Sequence, residues 1–161
     1  MKAQPHHGAR TNAAAYAAGI TPRALRCAID ARQFTRMHDV RTPGGHRRWC
    51  AADVIRLALW SECRRAGFEA HEASHIVAKA ADPFLYAHGT LPGLPPAIAE
   101  IRATAVHAEP SNAMRVLVAP VHYRLPFQRH AVFFRVGLIA HTALQRLHAY
   151  ETLNLRHPAG S

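Results

Sequence analysis

Thr42-Pro43-Gly44-Gly45-His46-Arg47-Arg48-Trp49 is the stretch on which the fold of this chain turns. Proline presets φ and the glycines after it take positive φ at no steric cost, so the three residues mark a tight reversal. With Val40 on an otherwise polar ribbon before it and a basic-aromatic run after it, the stretch predicts a β-hairpin over residues 34–49. Arg47 and Arg48 are strand neighbours and point to opposite faces. One of them is expected to face outward with His46 and Trp49, and the other to pack or pair internally.

Upstream, Asn12-Ala13-Ala14-Ala15-Tyr16-Ala17-Ala18 predicts a short first helix, with Asn12 as the N-cap acceptor and Gly19 as the stop. Ile20-Thr21-Pro22 places a capping hydroxyl before a proline at the first helical position, so a second helix is expected over residues 22–32. Leu25, Ala28 and Ile29 form its apolar stripe, while Arg23 and Arg26 share another face. Downstream, a third helix is expected from Asp53 to about residue 66, with Val54, Leu57, Ala58 and Cys63 inward and Gly67 as its end. A fourth follows over residues 70–81, closed by Asp82-Pro83. Helix, tight turn, helix, hairpin and helix make a winged helix-turn-helix.

Pro83, Pro92, Pro95 and Pro96, with Gly89 and Gly93, predict a linker over residues 83–96. A short helix over residues 96–107 is expected next, then an extended segment over 114–121 that Pro120 confines to a sheet edge. From residue 130 to 154 the pattern is helical. Phe133, Val136, Ala140, Ala143, Leu147 and Tyr150 recur at spacings of 3, 4, 3, 4 and 3, a heptad seam that suits either a core-facing helix or a dimer contact. The expected organisation is an arm (1–11), a DNA-binding domain (12–82), a linker (83–96) and a dimerisation or effector region (97–161). The fold class is mainly α, a winged helix-turn-helix with a small β-hairpin wing followed by a mostly helical C-terminal region.

The chain has 161 residues, 49% of them hydrophobic, and a formal charge of +10. That composition excludes a disordered or collagenous chain. Residues 1–60 carry ten basic side chains against three acidic, a balance of +7, which leaves +3 for residues 61–161. An arginine-rich composition explains why 18 of the 20 basic residues are arginine but not this asymmetry, which fits a module that meets a polyanion. An anionic membrane surface would instead call for an amphipathic basic helix with Trp or Phe opposite. The most apolar run, residues 131–140, is broken by Arg135, and the first eight residues carry no apolar signal core, so no membrane partner and a cytoplasmic, nucleoid-associated location are expected. Cys27, Cys50 and Cys63 form no C-x-x-C pair and are expected to be reduced thiols, and no cofactor is expected.

The residues that fill this frame resemble the DNA-binding domain of the MerR regulator family and its small excisionase-like relatives over residues 12–81. Residues Thr42 to Trp49 are similar to that family's T-P-G-G-H-R-R-Y wing. Thr21-Pro22-Arg23-Ala24-Leu25-Arg26 resembles its S-x-x-T-L-R, Asp53-Val54-Ile55-Arg56-Leu57 its D-V-x-R-L, and Gly67-Phe68 with Glu72 its G-F-x-L-x-E. The chain departs from the pattern at Cys27-Ala28, where the family has two aromatics, and at Ala31-Arg32-Gln33, where it has a glycine stop. The resemblance implies a transcriptional regulator acting as a homodimer on double-stranded DNA, dimerising through Phe133, Val136, Ala140, Ala143, Leu147 and Tyr150. Residues Thr21, Arg23, Arg26, Arg36, Arg41, His46, Arg47, Arg48 and Trp49 are the expected DNA contacts. An excisionase-like architectural factor is the alternative, and the identity of any effector or protein partner stays open.

His71-Glu72-Ala73-Ser74-His75 carries a competing signal. An H-E-x-x-H string on a helix puts two zinc ligands on one face with a general-base glutamate between them, as in zinc metallopeptidases. The string needs a third ligand, for which Glu100, His107 and Glu109 are in range but in no known motif, and the fourth helix of the winged module already accounts for the segment. His122, His130, His141 and His148 are further possible ligands in a chain with 13 histidines.

Overall fold

The computed structural model describes residues 8–34, 40–41, 47–87, 104–108, 116–120 and 132–156. Helix α1 (Thr11–Ala18) buries Ala13, Ala14, Ala15, Ala17 and Ala18, leaving Tyr16 half exposed. Its N-cap is Arg10, without a side-chain cap, so Asn12 lies one residue inside the helix and is not the cap. The residues before it are not an arm throughout. Ala9–Arg10 form β1, because they pair antiparallel with the hairpin strand that follows later in the chain. That hairpin is β2 (Val40–Arg41) and β3 (Arg47–Trp49), and the sheet order is β1-β3-β2.

Helix α2 (Pro22–Asp30) begins with the predicted cap, Thr21 Oγ1 accepting the Ala24 N–H at 3.1 Å with Pro22 at the first position. Three helices then end in one geometry, in which the residue after the last turn is left-handed and two successive N–H groups bond back over the final turn. Gly19 (φ 68°) does this for α1, with N–H bonds from Gly19 to Tyr16 and from Ile20 to Ala15. In α2 the same place is held by Arg32 at φ 52°, with bonds from Arg32 to Ile29 and from Gln33 to Ala28. The missing glycine stop is therefore met by an arginine in a glycine conformation, and α2 ends two residues earlier than expected. Gly67 closes the third helix in the same way.

That third helix, α3 (Ala51–Arg65), is buried nearly all round. Val54, Leu57 and Ala58 face α1, α2 and Trp49, while Ile55, Leu59, Trp60 and Cys63 face a second cluster with Phe68, Ile76, Val77 and Val136. Helix α4 (Ala70–Ala87) packs on α3 and continues through Asp82-Pro83, where a stop was expected. An interior proline loses its helix bond and crowds the carbonyl one turn back, and here the stripe Ala73, Ile76, Val77, Ala80 and Ala81 holds the preceding turns of the helix to the core. The first residues of the expected linker are thus helical, and 88–96 lie outside the described residues.

The C-terminal region differs most from expectation. Residues 104–107, expected in a short helix, belong to β4 (Thr104–Ala108), paired antiparallel with β5 (Val116–Pro120) and β6 (Val132–Phe134) in the order β5-β4-β6. Alanine favours helix locally, but two flanking β-branched and aromatic segments supply strand partners, and pairing overrides propensity. Strand β5 is an edge with Pro120 as its last residue, in keeping with a proline's missing donor. Helix α5 (Val136–Arg156) starts six residues later than predicted because residues 132–134 are strand. It lies against α1 and α3. The described residues are mainly helical, with the small antiparallel hairpin extended by β1 and a second small antiparallel sheet, and none of the described helices is long and apolar enough to cross a membrane.

Burial separates the three thiols. The Cys63 pKa is pushed up to about 12 by burial and then by the neighbouring Glu62, whereas Cys27 and Cys50 are in exposed residues. Burial also raises Cys50, whose Sγ donates to Asp53 Oδ2 at 3.1 Å. At pH 8 a thiol-specific reagent should modify Cys27 first, Cys50 more slowly and Cys63 only in denaturant; prompt reaction of Cys63 in the native protein would contradict the core described above. Arg32→Gly should stabilise the chain by about 0.5–1 kcal/mol in urea unfolding, by relieving the left-handed arginine. Gly19→Ala should destabilise it by about 1 kcal/mol or more, because its Cβ would also sit 2.5 Å from Arg65 Nη2.

Candidate nucleic-acid interface

The first turns of α2 are positioned by what is buried beneath them. Leu25 is fully buried beside Trp49, Val54 and Leu57, and Ala28 is buried against the second cluster. This anchors one side of the helix and turns Arg23 and Arg26 outward, both exposed and neither pairing with another described residue. Two guanidinium groups three residues apart at a helix N-terminus, where the backbone N–H groups add partial positive charge, form a surface that attracts phosphate. Thr21 is exposed beside them, with its hydroxyl oxygen engaged as the cap.

The three-stranded sheet adds a second basic surface. Its register sets Arg10 opposite Arg48 and Arg41 opposite Arg47, so two cross-strand pairs are like-charged. Such pairs destabilise a sheet in isolation, and a polyanion lying across them removes the penalty. Arg10, exposed at the end of β1, was not among the expected contacts. A two-residue strand leaves no periodicity to read, and only its pairing partner reveals it. Arg36 and His46 lie outside the described residues, as does the side chain of Arg41.

Within β3 the expected division of labour holds for one arginine and fails for the aromatic. Arg48 Nη1 donates to the Gly8 carbonyl at 3.2 Å, so Arg48 is the internally paired member. Arg47 lies over the Trp49 ring with its guanidinium carbon 5.5 Å from the centroid. Trp49 itself is 2% exposed and its indole N–H donates to Thr11 Oγ1 at 3.3 Å. It is therefore a core residue that fastens the sheet to α1, and the expectation of a DNA contact there is corrected. A large indole gains more by burial against alanines than by standing in solvent.

The expected dimer seam is also occupied internally. Val136, Ala140 and Ala143 are fully buried, Leu147 and Tyr150 pack on the α1 cluster, and the Tyr150 ring lies 5.4 Å from that of Tyr16. Among the described residues, this stripe faces α1 and α3 of its own chain, with Leu147 and Tyr150 partly covered. The side chain of Phe133 lies outside the described residues.

In the H-E-x-x-H string, His71 and His75 are exposed, and Glu72 Oε2 accepts the Glu69 backbone N–H at 2.7 Å. The glutamate thus completes the reach-back half of a capping box on α4. Among the described residues no group of three or more His, Cys, Asp or Glu side chains is placed to hold a metal ion. His141 is nearly buried and partnered, and His148 is exposed. Glu100, Glu109, His122, His130 and the side chain of His107 lie outside the described residues.

No protein-family profile matches the chain, and no curated protein sequence matches it.

Proposed function

We propose that this chain is a double-stranded DNA-binding protein of the MerR-like type, a transcriptional regulator that lays α2 in the major groove and its β2–β3 wing along the backbone. The observation that carries the reading is the pair Arg23 and Arg26, outward on the first turns of α2 with no partner among the described residues, beside a sheet that opposes arginine to arginine. A helix N-terminus in the groove brings such side chains to base edges, where an arginine forks onto guanine, and to the flanking phosphates. Arg10 and Arg47 extend the contact along the backbone, which fixes register and supplies salt-dependent affinity. Trp49 and Arg48 serve this surface indirectly, by holding the sheet to α1. Two-fold pairing on a palindromic site would need a face other than the α5 seam.

The test is selection of bound fragments from genomic and random DNA, followed by affinity across a salt series. A recovered motif with a steep salt slope is the expected result. Arg23→Ala and Arg26→Ala should each weaken binding to that motif by about 1–3 kcal/mol, while Lys79→Ala, an exposed charge on α4, should change it little. Unchanged affinity in both α2 variants would overturn the assignment. Retention of DNA without any motif would favour the architectural alternative.

A further inference from the structure

Helices α1, α3 and α5 do not close completely where they meet. A cleft of about 250 Å³ remains at the C-terminal end of α1, floored by Ala18, Ala58 and Ala143 and edged by Leu138, Glu62 and Arg146. The floor is apolar because α1 and its neighbours present alanines, and Leu138 is 44% exposed at the rim although it is a large apolar side chain.

The charge at this cleft is unbalanced. Arg65 reaches back to the turn between α1 and α2, its Nη2 donating to the Gly19 carbonyl at 2.8 Å, and its Nη1 pairs with Glu62. Arg146 comes to the same turn from α5, its Nη1 3.1 Å from the place a Cβ on Gly19 would occupy. Arg146 has no hydrogen bond or ion pair with any described residue. Two guanidinium groups thus converge on one turn, and among the described residues a single carboxylate, Glu62, pairs with one of them, which leaves the charge of Arg146 over an apolar floor without a described counter-ion.

We propose that this cleft binds a small organic carboxylate, whose charged end pairs with Arg146 beside Gly19 and whose short apolar body covers the alanine floor against Leu138. A guanidinium holds a carboxylate through two parallel N–H bonds, and the cleft's volume suits a short-chain or single-ring acid. The ligand would join α5 to the turn that leads into α2. On the proposed DNA-binding reading, it is therefore an effector that couples the C-terminal helix to the recognition helix.

Hexanoate is the probe, added to the full ¹⁵N-labelled chain, with hexan-1-ol and hexylammonium as controls. Saturable amide shifts at Gly19, Leu138 and Arg146 are expected with hexanoate and not with either control. Arg146→Gln should weaken binding about tenfold or more, the scale of one charge-assisted pair. Leu138→Glu should weaken it similarly by adding a like charge at the rim. Both side chains are exposed, so the folds should be retained, which the remaining amide shifts check directly. Absence of saturable shifts, equal shifts with hexan-1-ol, or undiminished binding in Arg146→Gln would overturn the site. Saturating hexanoate should then change affinity for the selected DNA by about fivefold or more. Binding of hexanoate without such a change overturns the effector role. DNA binding that fails while hexanoate still binds overturns the DNA reading and leaves the carboxylate site standing.

Discussion

One of the two core clusters is arranged around a helix whose buried face leaves no room for large side chains. Helix α1 lies against α3, α5, α2 and the sheet, and the five residues it buries are all alanine. Replacing any of them by a larger group would force apart neighbours packed at interior density, and overpacking costs about 1–3 kcal/mol. The alanine face also explains the cleft beside Gly19, since small side chains leave a gap wherever three helices diverge.

A second constraint holds the β1-β3-β2 sheet to this core. Trp49 is inside, bonded to Thr11, and the next residue, Cys50, is the N-cap of α3. The first turn of α3 then carries Asp53, fully buried and paired with Arg56 Nη1 at 3.2 Å. A buried carboxylate at the third position of a helix is favoured by the helix dipole, and the arginine one turn on compensates the charge. Removing Arg56 would leave the buried Asp53 carboxylate with the Cys50 thiol donor and without this cation. The D-V-x-R spacing in the sequence thus encodes an intrahelical ion pair, and its role is to fix where the strand ends and the helix begins. Arg48, one residue before Trp49, bonds to Gly8 and draws β1 onto the same edge.

The candidate interface was legible where its determinants are local. The cap at Thr21, the proline after it and the outward placement of Arg23 and Arg26 follow from positions within one turn of helix. Trp49 was misplaced because a strand residue's inward or outward direction depends on which face meets the core, and alternation alone leaves both choices open. The position of Arg10 opposite Arg48 was not legible because β1 exists only through its pairing with β3. The seam of α5 shows the same limit in another form. Its period states that one face of the helix is covered but carries no information on whether the cover is a second copy or the α1–α3 surface of the same chain.

By itself, the sequence determined the cap and proline that start α2, the glycine turns after α1 and α3, the hairpin, the buried stripes of α2, α3 and α5 and the concentration of positive charge in the first third. These depend on backbone sterics, capping and periodicity, which act over a few residues. The tertiary structure alone decided that residues 104–108 are strand, that Arg32 adopts the left-handed turn a glycine would normally take, and that α5 joins the core of the N-terminal helices. It also brought Arg65 and Arg146, 81 positions apart, to one turn at Gly19. Each of these depends on which distant surface is available to bury an apolar face or accept a hydrogen bond, and that is settled only when the whole chain has packed.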